Sequence, residues 1–286
     1  MFQLENTVEV EGDSKPTELA PMLPPEIERE IFEIAARFRG NSVQLALVAR
    51  RTQIWIERLM YETVTLSDQT VCDRFVRTLD SRPAQFFTDN VKSLCVPGDL
   101  EPFGAARVLK VCQGVVNLAI WLQRPPCGAP LFPLVSALRP KRLSVTLQAL
   151  YGHTEPDFAH PFFSKVSHLE LVDWPEWASC LRLEIVFQHL THLAIHLDHY
   201  TQDPERLHEI LASCRSLVVC LGLVRDDDTM IAASEQLAGV EDPRFVILSE
   251  SDVLDNWEAS LQETDASVWA FCEGIVVAKT GQIAAP

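Results

Sequence analysis

The chain has 286 residues, 47% of them hydrophobic and 22% charged, an ordinary globular balance with length for one large unit or two small ones. Its 40 acids against 24 bases leave a net charge of -16, which repels phosphate backbones and anionic lipid, so neither nucleic acid nor a membrane is an expected partner. No apolar stretch approaches the roughly 20 residues of a membrane span. There is also no positive segment followed by an apolar run at the start, and the eight cysteines form no CxxC pair. Those features predict a protein of the cytoplasm or nucleus with reduced, mostly buried thiols.

Residues 1–20 carry acids, Ser, Thr and little periodicity, which predicts a disordered acidic leader. From Pro24 the pattern turns helical. Prolines suit a first helical turn because their missing N–H is unpaired there anyway, and Glu26, Glu28 and Glu30 complement the helix dipole. Ile27, Ile31, Ile34 and Phe38 make one stripe, and Gly40 is a fitting stop. Two further short helices are predicted near 42–51 and 53–61. Their apolar residues do not keep to one stripe: Leu45, Leu47 and Val48 spread around the second, and Ile54, Trp55, Ile56, Leu59 and Met60 around the third. Phe32 lies about 140° from Ile27 on the first. Helices this short need tertiary packing, so apolar residues on several faces predict burial against sister helices or against a partner.

Residues 64–286 carry an internal repeat. In order, the units are VKSLCV, VVNLAI, PKRLSV, VSHLEL, LTHLAI, CRSLVV and DPRFVI, aligned at Leu94, Leu118, Leu143, Leu169, Leu193, Leu217 and Phe245. The intervals are 24, 25, 26, 24, 24 and 28 residues. A period in the twenties with a short x-L-x-L strand is the pattern of leucine-rich repeats, each of which buries its strand and helix only by stacking on its neighbours. The expected fold class is therefore α/β: a three-helix unit over 21–62, then a curved, degenerate leucine-rich-repeat-like solenoid over 63–286. Helical signals fill the gaps at 103–113, 129–138, 177–188, 205–213 and 229–238. A last segment, roughly 253–278 with Trp257, Trp269, Phe271 and Ile275, is expected to cap the open end.

The stretches "LPPEIEREIFEIAA" and "LALVARRTQIWIERLMYETV" resemble the F-box motif as it occurs in a large fungal F-box-like family. The likeness is carried by Leu23, Pro24, Glu26, Ile27, Ile31 and Phe32, then by Leu45, Leu47, Val48, Arg50, Arg51 and Trp55. Position 49 is Ala where many F-boxes carry Ser or Cys. "TLDSRPAQFFTDNVKSLCV" and "DNWEASL…VWAFCEGIVVAK" resemble the later parts of the same family. The resemblance implies that the three helices dock on a Skp-type adaptor, and through it a cullin of a ubiquitin ligase, by way of Leu23, Pro24, Ile27, Ile31, Phe32, Leu47, Val48 and Trp55. It implies that the rest of the chain binds a protein substrate. The alternative is a non-catalytic interaction scaffold with no link to ubiquitin.

Inward leucines leave the opposite side of the strands as one concave surface, expected to offer Asn117, Trp121, Arg142, Thr146, His168, Glu170, His192 and His196 to the substrate. "HLTHLAIHLDHY" places four histidines, 189, 192, 196 and 199, close together, but strand residues four apart are about 13 Å apart, too far to share a metal ion. They are expected on the polar, solvent-facing side of a strand. Asp226, Asp227 and Asp228 stand before a predicted helix and are read as its cap; EF-hand spacing and glycine are missing. There is no GxSxG, GxGxxG after a strand, GxxxxGK[ST] or HExxH. The expectation is no catalytic residue, no metal and no cofactor.

Overall fold

The computed structural model describes residues 23–38, 40–98, 100–122, 130–152, 154, 157–173, 189–197, 204–249, 253–261 and 267–283. The leader over 1–20, the helix expected at 177–188, His199, Cys127 and Cys180 lie outside the described residues. The chain divides into two compact units, Met1–Met60 and Tyr61–Pro286.

The first unit is helical. Helix α1 spans Pro25–Ala36, with its proline in the first turn and Glu26 and Glu28 at the positive end of the dipole. Gly40 takes φ 88°, a left-handed conformation that a side chain disfavours, and leads into α2, Asn41–Ala46. Helix α3 is Arg50–Glu62. Its start is tied by Thr52, whose hydroxyl accepts from the Ala49 N–H at 2.9 Å and donates to the Ala49 carbonyl at 2.7 Å.

The second unit is mixed α/β around an open sheet of eight parallel strands whose spatial order is their sequence order. The strands are β1 Thr63–Thr65, β2 Ser93–Val96, β3 Asn117–Ile120, β4 Arg142–Val145, β5 His168–Leu171, β6 His192–His196, β7 Val219–Val224 and β8 Phe245–Ser249. Parallel neighbours cannot be joined by a hairpin, so each link must cross back over the sheet. The crossovers carry α4 Gln69–Ser81, α5 Ala84–Asn90, α6 Pro102–Val111, α7 Phe132–Val135, α8 Leu147–Tyr151, a 3-10 turn at Pro161–Phe163, α9 Pro204–Ser213 and α10 Asp227–Gln236.

The aligned leucines are in register across the sheet: Leu94, Leu118, Leu143, Leu169 and Leu193 face one another strand to strand and are all buried. With Val96, Ile120, Val145 and Leu171 they form the face that meets the crossover helices in the main core. Strand β1 adds an eighth rung ahead of the seven expected, with Val64 opposite Leu94. The sixth expected rung is corrected. Leu193 faces Cys220, and Phe245 faces Cys220 as well, so Leu217 is a buried residue ahead of the strand and not its aligned position. The last two intervals are then 27, from Leu193 to Cys220, and 25, from Cys220 to Phe245. Leu217 misled because β7 is apolar at every position, which erases the alternation that would have set its register.

The helix expected at 129–138 is reduced to Phe132–Val135, which has Pro133 in its first turn and is flanked by Pro130 and Pro140. Aromatic packing fills the volume instead, with Phe132 stacked on Tyr151 at 4.8 Å and edge-on to Phe162 at 5.7 Å. Asp226 does cap α10, accepting from the Thr229 N–H at 2.8 Å and its hydroxyl at 2.7 Å.

The C-terminal segment is the largest departure. It forms two helices, α11 Val253–Leu261 and α12 Val268–Ile283, and they do not close an open end. They lie on the sheet face opposite the main core. Trp257 of α11 packs on Cys95 and Ala119 with Trp121, while Cys272 and Val276 of α12 pack on Ala194, Val219, Leu221, Leu223 and Val246. The reason sits in β7: Val219, Leu221 and Leu223 face away from the core, and a strand apolar on both faces must be covered on both.

Candidate functional site

Two surfaces were expected to carry function, one in each unit. In the helical unit, α1 and α2 have no buried residue at all. Leu23, Ile27, Ile31, Ile34, Phe38, Val43, Leu47, Val48, Ile54 and Met60 are all exposed, Leu47 at 82% and Val48 at 62%. Among the described residues only five other large hydrophobic side chains are that exposed: Phe103, Val218, Ile231, Phe271 and Val277. Single exposed apolar residues are ordinary, but ten within 38 positions of one small unit form a surface suited to a partner.

Of the eight residues expected to meet an adaptor, Leu23, Ile27, Ile31, Leu47 and Val48 are exposed large hydrophobics and Pro24 is exposed beside them. Phe32 and Trp55 differ. They are half-buried and meet each other, ring centroids 6.5 Å apart, so they form the seam between α1 and α3. The same seam carries an ion pair one turn earlier on both helices, where Arg51 donates through Nε at 3.2 Å and a terminal guanidinium nitrogen at 2.6 Å to Oε1 of Glu28. The expected set omitted Ile34, Phe38, Val43, Ile54 and Met60. Ile34 and Phe38 lie on the same stripe as Ile27 and Ile31, so periodicity alone could have included them.

In the sheet unit the expected substrate residues do share a face. Asn117, Arg142, His168 and His192 are direct neighbours along one row, and Glu170 stands in the next. That face is not an open concave surface, because α11 and α12 occupy it. Trp121 is edge-on to Trp257 at 6.5 Å and donates to the Ser144 hydroxyl at 2.6 Å. Arg142 donates to the carbonyl of Ser260 in α11. Thr146 and His192 are buried. Asn117 donates to Ser93 at 3.0 Å, and Glu170 pairs with His196 at 2.9 Å. The eight residues chiefly join sheet to helices and to one another. The expectation that the histidines face solvent is likewise corrected for His192, although His189 is exposed.

The centre of that contact is aromatic. His168 and His192 stack with ring centroids 4.1 Å apart, and the Trp269 ring of α12 stands edge-on to both. Nε2 of His192 is 2.8 Å from Glu273, and Nδ1 is 2.8 Å from the Thr191 hydroxyl. Burial, then the neighbouring His192 and Arg142, pushes His168 down to about 3. Burial also lowers His192, with the Glu273 carboxylate opposing it. Both shifts favour the uncharged imidazole, and the two rings pack against Trp269 while His192 also bonds Thr191 and Glu273.

Beside this stack a cleft remains between sheet and helices, bordered by Arg142, His168, Glu170, Asn256, Trp257 and Trp269, with about 30 Å³ of free volume. That admits a water molecule or two, against the roughly 300–1,000 Å³ of metabolite pockets. The six described cysteines are free and buried, and burial pushes Cys112 and Cys220 up to about 12 and Cys272 up to about 11, far from the reactive thiolate. Among the described residues no three His, Cys, Asp or Glu side chains are grouped to hold a metal ion, and no helix is long and apolar enough to cross a membrane.

No protein-family model matches the chain, and no curated protein matches it either.

Proposed function

We propose that this chain is a substrate receptor of a ubiquitin ligase. Its helical unit is an F-box-like plug for a Skp-type adaptor that leads to a cullin, and its sheet unit is a degenerate leucine-rich-repeat array that carries a protein substrate. The observation that carries the reading is the concentration of exposed apolar side chains over residues 23–60, on helices that bury nothing of their own in α1 and α2. Helices so short do not persist in water without packing, so a surface of this kind is suited to a protein that completes it. The resemblance at Leu23, Pro24, Ile27, Ile31, Leu47 and Val48 implies a Skp-type adaptor as that protein. Eight parallel strands in sequence order, with intervals in the twenties, support the repeat part of the reading.

With α11 and α12 seated on the outer face of the sheet, substrate recognition is assigned to side chains that remain accessible around them and on the crossovers. Copurification from the native host tests the whole. The wild-type chain is expected to bring down adaptor and cullin, and Leu47→Ala/Val48→Ala to lose both while keeping its other partners. If the wild-type eluate holds no ligase subunit, the adaptor reading falls and the scaffold takes its place.

A further inference from the structure

The docking surface proposed above is split between α1 and the turn from α2 into α3, and a surface of that kind is only as good as the angle between α1 and α3. Ile27 and Ile31 belong to α1, whereas Leu47 and Val48 lie just before α3, and all four are exposed. What joins α1 to α3 is a seam of two rungs. The first is Glu28 with Arg51, two N–H groups on one carboxylate oxygen at 2.6 and 3.2 Å. The second, four residues on along each helix, is Phe32 with Trp55. Four residues is one helical turn, so the rungs stack on one side of each helix. The Glu28 side chain is 17% exposed and that of Arg51 53%, so the pair is half open to solvent and acts through its geometry, two N–H groups held on one carboxylate oxygen, more than through its strength.

We propose that Glu28 and Arg51 are positioning residues, absent from the contact with the adaptor but setting the relation of α1 to α3 so that the two apolar rows present one surface. The inference rests on the adaptor reading, and its test is arranged to separate the two. Adaptor affinity, thermal melting and amide exchange over residues 25–36 are measured on the full chain for wild type, Glu28→Gln, Arg51→Gln and the exchanged pair Glu28→Lys/Arg51→Glu. Each single variant is expected to bind the Skp-type adaptor about fivefold more weakly and to exchange its α1 amides several-fold faster, with melting unchanged. The exchanged pair restores the attraction and is expected to recover to within about twofold of wild type in both readouts. Single variants that bind and exchange like wild type overturn the proposal, as does a loss of binding that only follows a loss of melting temperature or that the exchanged pair fails to recover. If the wild-type chain does not bind the adaptor, the adaptor reading fails by itself, and the exchange measurements alone decide whether the pair holds the seam.

Discussion

The helical unit and the sheet unit are built from similar apolar stripes, and those stripes meet opposite fates. In the sheet unit, α4 buries its apolar stripe, through Cys72, Phe75 and Leu79. The outward side of β7 is covered as well, by α12. In the helical unit, Ile27, Ile31, Ile34 and Phe38 form an equally regular stripe and every one is exposed. A stripe records that a helix has something to bury, and its neighbours decide whether the chain itself supplies the cover. Where the described residues supply none, the stripe remains an exposed apolar surface.

That contrast can be broken by substitutions of matched chemistry. The largest effect is expected at Trp257, which is 6% exposed between α11 and the sheet. Trp257→Ala should cost about 3–5 kcal/mol in a denaturant titration, through lost burial and the cavity left behind. If instead it behaves like a surface change, α11 is not part of the folded sheet unit.

A tight point in the same unit comes next. A Cβ on Gly114 would sit 1.8 Å from the carbonyl oxygen of Thr88, a backbone atom that cannot swing away. Gly114→Ala should therefore destabilise by about 1–3 kcal/mol or more, the cost of overpacking, where removing a glycine elsewhere is often neutral or helpful.

Acid should act on the sheet unit by a comparable amount. His168 is held at about 3 when folded, against an ordinary value near 6.5. Between those values the unfolded chain takes up a proton that the folded chain refuses, so stability falls as pH drops below about 6.5 and the loss is complete near 3. Lowering the pH from 7 to 5 should cost on the order of 2 kcal/mol. His168→Phe, which keeps an aromatic ring against His192 and Trp269, should flatten that slope; an unchanged slope would mean the imidazole is already solvated.

The smallest effect on stability sharpens the comparison most. Leu47→Ala, at a position 82% exposed, should leave folding within about 0.5 kcal/mol, yet weaken adaptor binding by about tenfold or more if Leu47 anchors the contact. A large loss of stability would mean that the chain covers this residue itself.

Much of this molecule was legible from its residues. The period of the leucines placed β2 to β6 and their shared register, because strand alternation and repeat length together determine which side chains line up. The cap at Asp226 followed from local chemistry, since a carboxylate and the N–H groups it accepts are three residues apart. Leu217 was misplaced because β7 is apolar throughout, and a strand without alternation does not announce its register.

The candidate site divides along the same line. The sequence by itself determined that Ile27, Ile31, Leu47 and Val48 are apolar positions on short helices, and that Asn117, Arg142, His168 and His192 share one side of a sheet. Only the tertiary structure decided that the first group stays exposed, that Phe32 and Trp55 meet each other, and that α11 and α12 lie over the second group. Periodicity is a property of neighbours along the chain and tells which side chains face together. What covers that face depends on segments such as 253–283, eighty or more residues from His168 in sequence, and on the apolar area they find there, which no local pattern records.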